Sequence, residues 1–179
     1  HDNFFSESTL VSRKLVSKTI DKLKKNKLVN YGFLNPPKGE EAKNWTKTKK
    51  LIFKSTLFGD DTDRALTKND NSWTYFANDL AYHADKVSRK YDKLINVLGA
   101  DHTGYVKRIK AAVNALSKEK ITLTCKISQL VKLYKNGQPY KMSKRSGEFI
   151  SVNELINEVG KDSVRFFMLN RSNDVELDF

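Results

Sequence analysis

Val11, Leu15, Val16, Ile20 and Leu23 recur at helical spacing while Lys14, Lys18, Lys22, Lys24 and Lys25 fill much of the other face, which predicts an amphipathic helix. Leu28 to Leu34 alternates in strand fashion, and Asn35-Pro36-Pro37-Lys38-Gly39 is a turn that stops it. Trp45 to Phe58 has strand composition, the polar stretch Gly59 to Arg64 interrupts it, and Asn69-Asp70-Asn71 marks a second turn. Residues 1–70 are therefore expected to form a helix plus a small, mostly antiparallel β layer.

Beyond that turn the pattern alternates between helix and strand. Trp73 to Arg89 suits a helix, and Lys93 to Leu98 is a short apolar run of the kind buried in a parallel sheet, closed by Gly99-Ala100-Asp101-His102. Val106, Ile109, Val113 and Leu116 then form one helical stripe, and Ile121, Leu123, Cys125 and Ile127 alternate as a strand. Asn136-Gly137 is the dipeptide favoured by a type I′ hairpin turn. A polar loop follows from Lys141 to Glu148. Ser151 and Glu154 make a capping box ahead of Val152, Leu155, Ile156 and Val159, with Gly160 as the stop and a last helix over about 162–169. This order predicts an α/β fold: half of a Rossmann-type parallel-sheet nucleotide-binding domain, preceded by a small α+β insertion. In such a sheet the ligand lies beyond the carboxyl ends of the strands, where Gly99 to His102 would fall.

Composition narrows the chemistry. The 179 residues hold one Cys, at 125, so neither a disulfide framework nor a Cys-based zinc site is available, and a reducing, cytoplasmic address is expected. No apolar run approaches the roughly 18 residues of a membrane span. The formal net charge of +12 favours approach to a polyanion, although an excess of Lys can also reflect coding bias. Gly59 to Arg64 carries three Asp in a short loop, but the spacing fails the EF-hand pattern and an ion-paired loop with Arg64 is expected instead. His83 has no second His near it in sequence and suits a hydrogen-bonding role better than metal ligation.

The sharpest feature is Lys141-Met142-Ser143-Lys144-Arg145 followed by Ser146-Gly147. Two Lys bracketing a Ser offer point charges that can settle on a triphosphate as charge develops at phosphorus, and a solvated basic loop is the plainer alternative. Lys-Met-Ser-Lys-Arg resembles the second signature of class I aminoacyl-tRNA synthetases. Phe58-Gly-Asp-Asp-Thr-Asp-Arg64, the stretch Trp73 to Lys86, Gly99-Ala-Asp-His-Thr-Gly-Tyr-Val106, Phe4-Phe-Ser-Glu7 and Asp162-Ser-Val-Arg-Phe-Phe167 are similar to arginyl-tRNA synthetases, in that family's order.

The resemblance implies ATP-dependent activation of arginine and its transfer to tRNA(Arg), with ATP and Mg²⁺ as substrate and counter-ion, no protein-held metal, and a monomeric parent enzyme. It implies catalytic roles for Lys141, Ser143 and Lys144, ATP contacts from Gly99, Asp101 and Met142, and arginine contacts from Tyr75, Asp79 and His102. Tyr75 and Asp79 are four apart, so a helix puts them on one face, where a carboxylate can grip a guanidinium through two parallel bonds. A Gly lets a ribose approach the backbone and an Asp accepts from its hydroxyls, which suits Gly99 and Asp101; a helix cap by Asp101 is the plainer reading. The family's His-Ile-Gly-His signature is missing, the only histidines being His1, His83 and His102. The expectation is therefore a fragment: residues 1–70 as an insertion, 71–174 as the second half of the catalytic domain, 175–179 as the start of a further region, and no activity on its own. The alternatives are another class I synthetase and a non-enzymatic basic RNA-binding module.

Overall fold

A left-handed Lys14, with φ at 52°, cuts the first amphipathic stripe into α1 (Ser8–Ser12) and α2 (Leu15–Lys25). Val16, Ile20 and Leu23 on α2 are buried, whereas Val11, expected on the same stripe, lies beyond the break and is exposed. The structure, a computed structural model, describes residues 2–35, 48–140 and 150–179. The turn expected at Asn35 to Gly39 falls largely outside these residues, and the Lys141 to Glu148 loop falls outside them altogether.

The chain divides into two compact units. The first comprises His1–Asn96 with Gly104–Thr124, the second Val97–Thr103 with Cys125–Phe179.

In the first unit β1 (Val29–Gly32), β2 (Lys50–Phe53) and β3 (Arg64–Ala65) form an antiparallel sheet with β2 in the centre, Val29 facing Phe53 and Ile52 facing Ala65. The strand composition running to Phe58 is not all strand: Ser55–Phe58 turns as a 3-10 helix, which Gly59 ends at a φ of 92°. Only a residue at ease with positive φ closes such a turn cheaply. The next element, α3 (Tyr75–Ser88), is capped by Thr74, whose hydroxyl oxygen accepts from the Ala77 N–H at 3.2 Å and also donates to the Ala65 carbonyl at 3.1 Å. One side chain thus satisfies an orphan helix donor and ties the helix start to the sheet.

Phe76, Ala77, Leu80 and Ala81 on α3 are buried, as are Ile109 and Val113 on α4 (Val106–Ser117), and the two helices pack on each other. Fully buried Phe53 has the Phe58 ring 6.3 Å and the Phe76 ring 6.1 Å away, joining sheet, turn and helix in one core.

β4 (Lys93–Gly99) and β5 (Thr122–Ser128) are neighbours in a two-stranded sheet. The apolar run in β4 is less buried than the sequence predicts. Leu94 is buried, but Ile95 and Val97 are 59% and 75% exposed, because only the face of the strand that carries Leu94, Asn96 and Leu98 is covered.

The second unit contains β6 (Val131–Lys132), β7 (Tyr134–Lys135), β8 (Gln138–Pro139), α5 (Val152–Val159), α6 (Lys161–Asn170) and β9 (Leu177–Asp178). β6 and β9 pair in parallel. β7 and β8 form a hairpin whose turn residues, Asn136 and Gly137, both have positive φ, as a type I′ turn requires. The Ser151–Glu154 capping box is complete: the Glu154 N–H donates to the Ser151 hydroxyl, and the Ser151 N–H donates to the Glu154 carboxylate at 2.6 Å. Gly160, with φ at 85°, ends α5. Among the described residues the apolar face of α5 buries none of its side chains fully, and Val152 is mostly exposed. The architecture is mixed α/β, as the sequence predicts.

Candidate functional site

The first turns of α3 carry Tyr75 and Asp79 on one face. Tyr75 is 84% exposed, with the Lys68 ammonium 5.8 Å from its ring centroid. Asp79 is half-buried, and its Oδ2 accepts a hydrogen bond from the Tyr105 hydroxyl. The Tyr105 ring meets Phe76 edge-on at 6.3 Å, and the Arg108 guanidinium lies 4.8 Å from the Tyr105 centroid and 5.9 Å from that of Phe76. Burial first, and then the bond to Asp79, hold the Tyr105 phenol well above its ordinary pKa, so it is a neutral donor at any working pH. Burial, with the neighbouring Arg64 charge, lowers the pKa of Arg108, whose Nε is buried without a hydrogen-bond partner among the described residues. The result is a carboxylate oriented by a phenol, on the same helix face as an exposed aromatic ring one turn away. Such a group can recognise a planar cation.

One turn further along α3 sits His83, which is 4% exposed. Its Nδ1 lies 2.8 Å from the Asp79 carbonyl and its Nε2 lies 3.0 Å from the Asn96 amide nitrogen, while Lys86 donates to Asn96 Oδ1 at 2.9 Å. A carbonyl only accepts, and the side-chain amide nitrogen only donates, so the ring carries its proton on Nδ1 and is neutral. Burial is the main cause that lowers the His83 pKa to about 4. Because the folded value is depressed, the unfolded chain takes up the proton first as pH falls. The stability is present above about pH 6.5 and is lost on the way down towards pH 4. Unfolding in urea at pH 7 and at pH 5.5 should show a loss of about 1 kcal/mol that His83→Gln abolishes. An identical pH slope in the variant would show that His83 is not buried neutral.

The Gly59 to Arg64 loop is ion-paired. Arg64 donates from Nε and a terminal nitrogen to the two oxygens of Asp60 at 2.7 and 2.6 Å, and the Asp60 side chain is completely buried. Asp61 meets Lys107 at 2.8 Å, and Asp63 accepts from the Thr56 N–H and hydroxyl at 3.1 and 2.7 Å. Each carboxylate is therefore engaged by a protein donor.

Gly99, Asp101 and His102 lie together in the second unit, at the end of β4 and in the 3-10 turn Ala100–Tyr105. A Cβ added at Gly99 would come within 2.6 Å of Asp101 Oδ1, so a larger residue there would force the carboxylate to turn away. The Asp101 and His102 side chains are 73% and 56% exposed and approach each other at 3.5 Å. Thr103 pins the turn by donating to the Ala100 carbonyl at 2.7 Å. Of the sequence-predicted site residues, Lys141, Met142, Ser143 and Lys144 lie outside the described residues. Tyr105 and Arg108 were not singled out by sequence. Tyr105 falls in the Gly99 to Val106 stretch with no role given to it there, and Arg108 follows it by three at the start of α4.

No protein-family model matches the chain. Among curated proteins it is 62% identical over all 179 residues to an arginine–tRNA ligase of Pelagibacter ubique, of which it covers 31%. It is 53% identical over 178 residues to the ligase of Roseobacter denitrificans, again covering 31%, and 50% identical to that of Wolbachia pipientis, covering 32%. A Campylobacter jejuni protein solved as an arginyl-tRNA synthetase superposes with a TM-score of 0.77 at 34% identity, over 99% of this chain and 35% of that one. The arginyl-tRNA synthetase of Plasmodium falciparum shares the fold, with a TM-score of 0.61 at 13% identity over 99% of this chain and 31% of that one. From end to end the chain matches arginyl-tRNA synthetases, and it spans about a third of the length of the curated relatives it matches.

Proposed function

We propose that the chain contributes the arginine-recognition face and the second half of the ATP site to a cytoplasmic, monomeric arginine–tRNA ligase. The observation that carries this reading is Asp79, held on α3 by the Tyr105 hydroxyl beside exposed Tyr75, in a chain 62% identical throughout to an arginine–tRNA ligase. Asp79 and Tyr75 take the guanidinium of arginine, with His102 near the same substrate. Lysine is rejected because an ammonium cannot fill a carboxylate fork.

Gly99 and Asp101 receive the ribose of ATP, Met142 lines the nucleotide, and Lys141, Ser143 and Lys144 hold its phosphates with Mg²⁺ as counter-ion. An oxygen of the arginine carboxylate bonds to the α-phosphorus, the bond from that phosphorus to the bridging oxygen breaks, and pyrophosphate leaves. The terminal ribose hydroxyl of tRNA(Arg) then attacks the carbonyl of the adenylate and AMP leaves. The two lysines act by meeting charge that develops on the phosphates in the transition state. Within this reading, residues 1–70 are the insertion, 71–174 the second catalytic half and 175–179 the start of a further region.

The test is exchange of labelled pyrophosphate into ATP. The complete enzyme containing these residues should exchange only with arginine (and tRNA) present, while the 179-residue chain alone should not exchange, since it has no His-Ile-Gly-His signature. Exchange supported equally by lysine or methionine would overturn the assignment of substrate, and exchange by the chain alone would overturn the half-site reading.

A further inference from the structure

The C-terminal ends of α2, α3 and α4 converge on a cavity of about 290 Å³ in the first unit. Its floor is aliphatic, including Leu23, Leu116 and Ile121, and its lining carries Lys22, Lys90, Lys118 and Lys120. Among the described residues no acidic residue lines it, and none of the four lysines is within ion-pair distance of a carboxylate.

Lysines at helix C-termini also offset the helix dipoles, so the two roles must be weighed. Three helix ends bring about half a negative charge each, against four ammonium groups, which leaves the cavity clearly positive. A second observation comes from the backbone. Lys90 and Lys118 follow α3 and α4 in the left-handed conformation, with φ at 62° and 54°, where glycine is the usual occupant. The same unfavoured state is kept after all three helices, Lys27 following α2, and at two of the three ends, Lys90 and Lys118, the side chain lines the cavity.

We propose that this cavity binds a phosphodiester group of an RNA strand. Four flexible ammonium groups around one cavity suit a phosphate, whose several oxygens can accept from point charges arriving from different directions. The aliphatic floor covers one sugar or base, and among the described residues no aromatic ring lines the cavity, which makes the contact indifferent to base identity. The ligase reading is used only in choosing RNA among polyphosphates. The test omits arginine and ATP, so its failure leaves that reading untouched.

Fluorescence anisotropy of a labelled RNA hairpin, titrated with the chain at several salt concentrations, reads the interaction. Lys22→Gln, Lys90→Gln, Lys118→Gln and Lys120→Gln combined should weaken binding at least about tenfold at low salt and flatten the slope of log affinity against log salt by about 0.7–0.9, the contribution of one phosphate. A control that removes the same charge elsewhere, Lys14→Gln with Lys18→Gln, Lys110→Gln and Lys126→Gln, should lose much less. Equal losses in the two variants, or none in the first, overturn the proposal. Should the four-fold variant fail to fold, Lys22→Gln with Lys120→Gln leaves the left-handed positions alone and should give about half the change in slope. Inorganic pyrophosphate that displaces the RNA completely at equimolar concentration would assign the cavity to a free polyphosphate and overturn the RNA assignment.

Discussion

In the complete enzyme, Asp79→Asn should raise the KM for arginine by about ten- to a hundredfold, since a hydrogen-bonded charge contributes about 1.5–3 kcal/mol. The amide keeps the shape of the carboxylate but loses the charge and one acceptor, so a guanidinium meets a donor where it needs an oxygen. Tyr105 makes the prediction more specific. Its hydroxyl already binds Asp79 Oδ2, so Tyr105→Phe frees the carboxylate to rotate without removing its charge. That variant should show a smaller rise in KM of the same sign. Steady-state kinetics with arginine as the varied substrate decides the matter, and a KM unchanged in Asp79→Asn would remove Asp79 from the site.

Arg64→Met should destabilise the chain by about 3–5 kcal/mol, because it leaves the buried carboxylate of Asp60 without its cation. Burial by itself would raise the Asp60 pKa, but the Arg64 bonds and the Asp61 N–H outweigh it, and the net shift is downward. A depressed carboxylate contributes stability that is present above its unfolded pKa and is lost as pH falls through the folded one. In Arg64→Met that acid-side dependence should shrink together with the stability, and Asp60→Asn combined with Arg64→Met should cost less than the two single changes added. Urea unfolding gives all three values. A loss below about 1 kcal/mol for Arg64→Met would put the pair on a level with an exposed ion pair.

Local chemistry was the most legible part of the sequence. Asn136-Gly137 and Ser151 with Glu154 specify their turn and cap within four residues, and the structure forms both. Thr74 was not foreseen as a cap, because its hydroxyl acts on Ala65 as well as Ala77, and the first of these contacts follows from the sheet. The break at Lys14 carried no signal, since lysine is an ordinary helix former and its positive φ is set by how α1 and α2 pack. The exposure of Ile95 and Val97 was hidden for a related reason: an apolar run says that a strand can be buried on both faces, not that both are covered. Within the candidate site the motif residues could be named from sequence, while Tyr105 and Arg108 could not. Their role depends on α4 lying against α3, a contact some 26 residues distant along the chain.

The left-handed lysines at positions 27, 90 and 118 bear on how freely this surface can change. A side chain in that conformation costs about 1–2 kcal/mol relative to the right-handed one. Glycine escapes that cost but loses more freedom on folding, by about 0.5–1 kcal/mol. The first effect is about twice the second, so glycine would end these helices more stably by about 0.5–1 kcal/mol and stability alone does not select lysine there. What occupies such positions is then decided by what the surface meets in solution, not by what the fold requires.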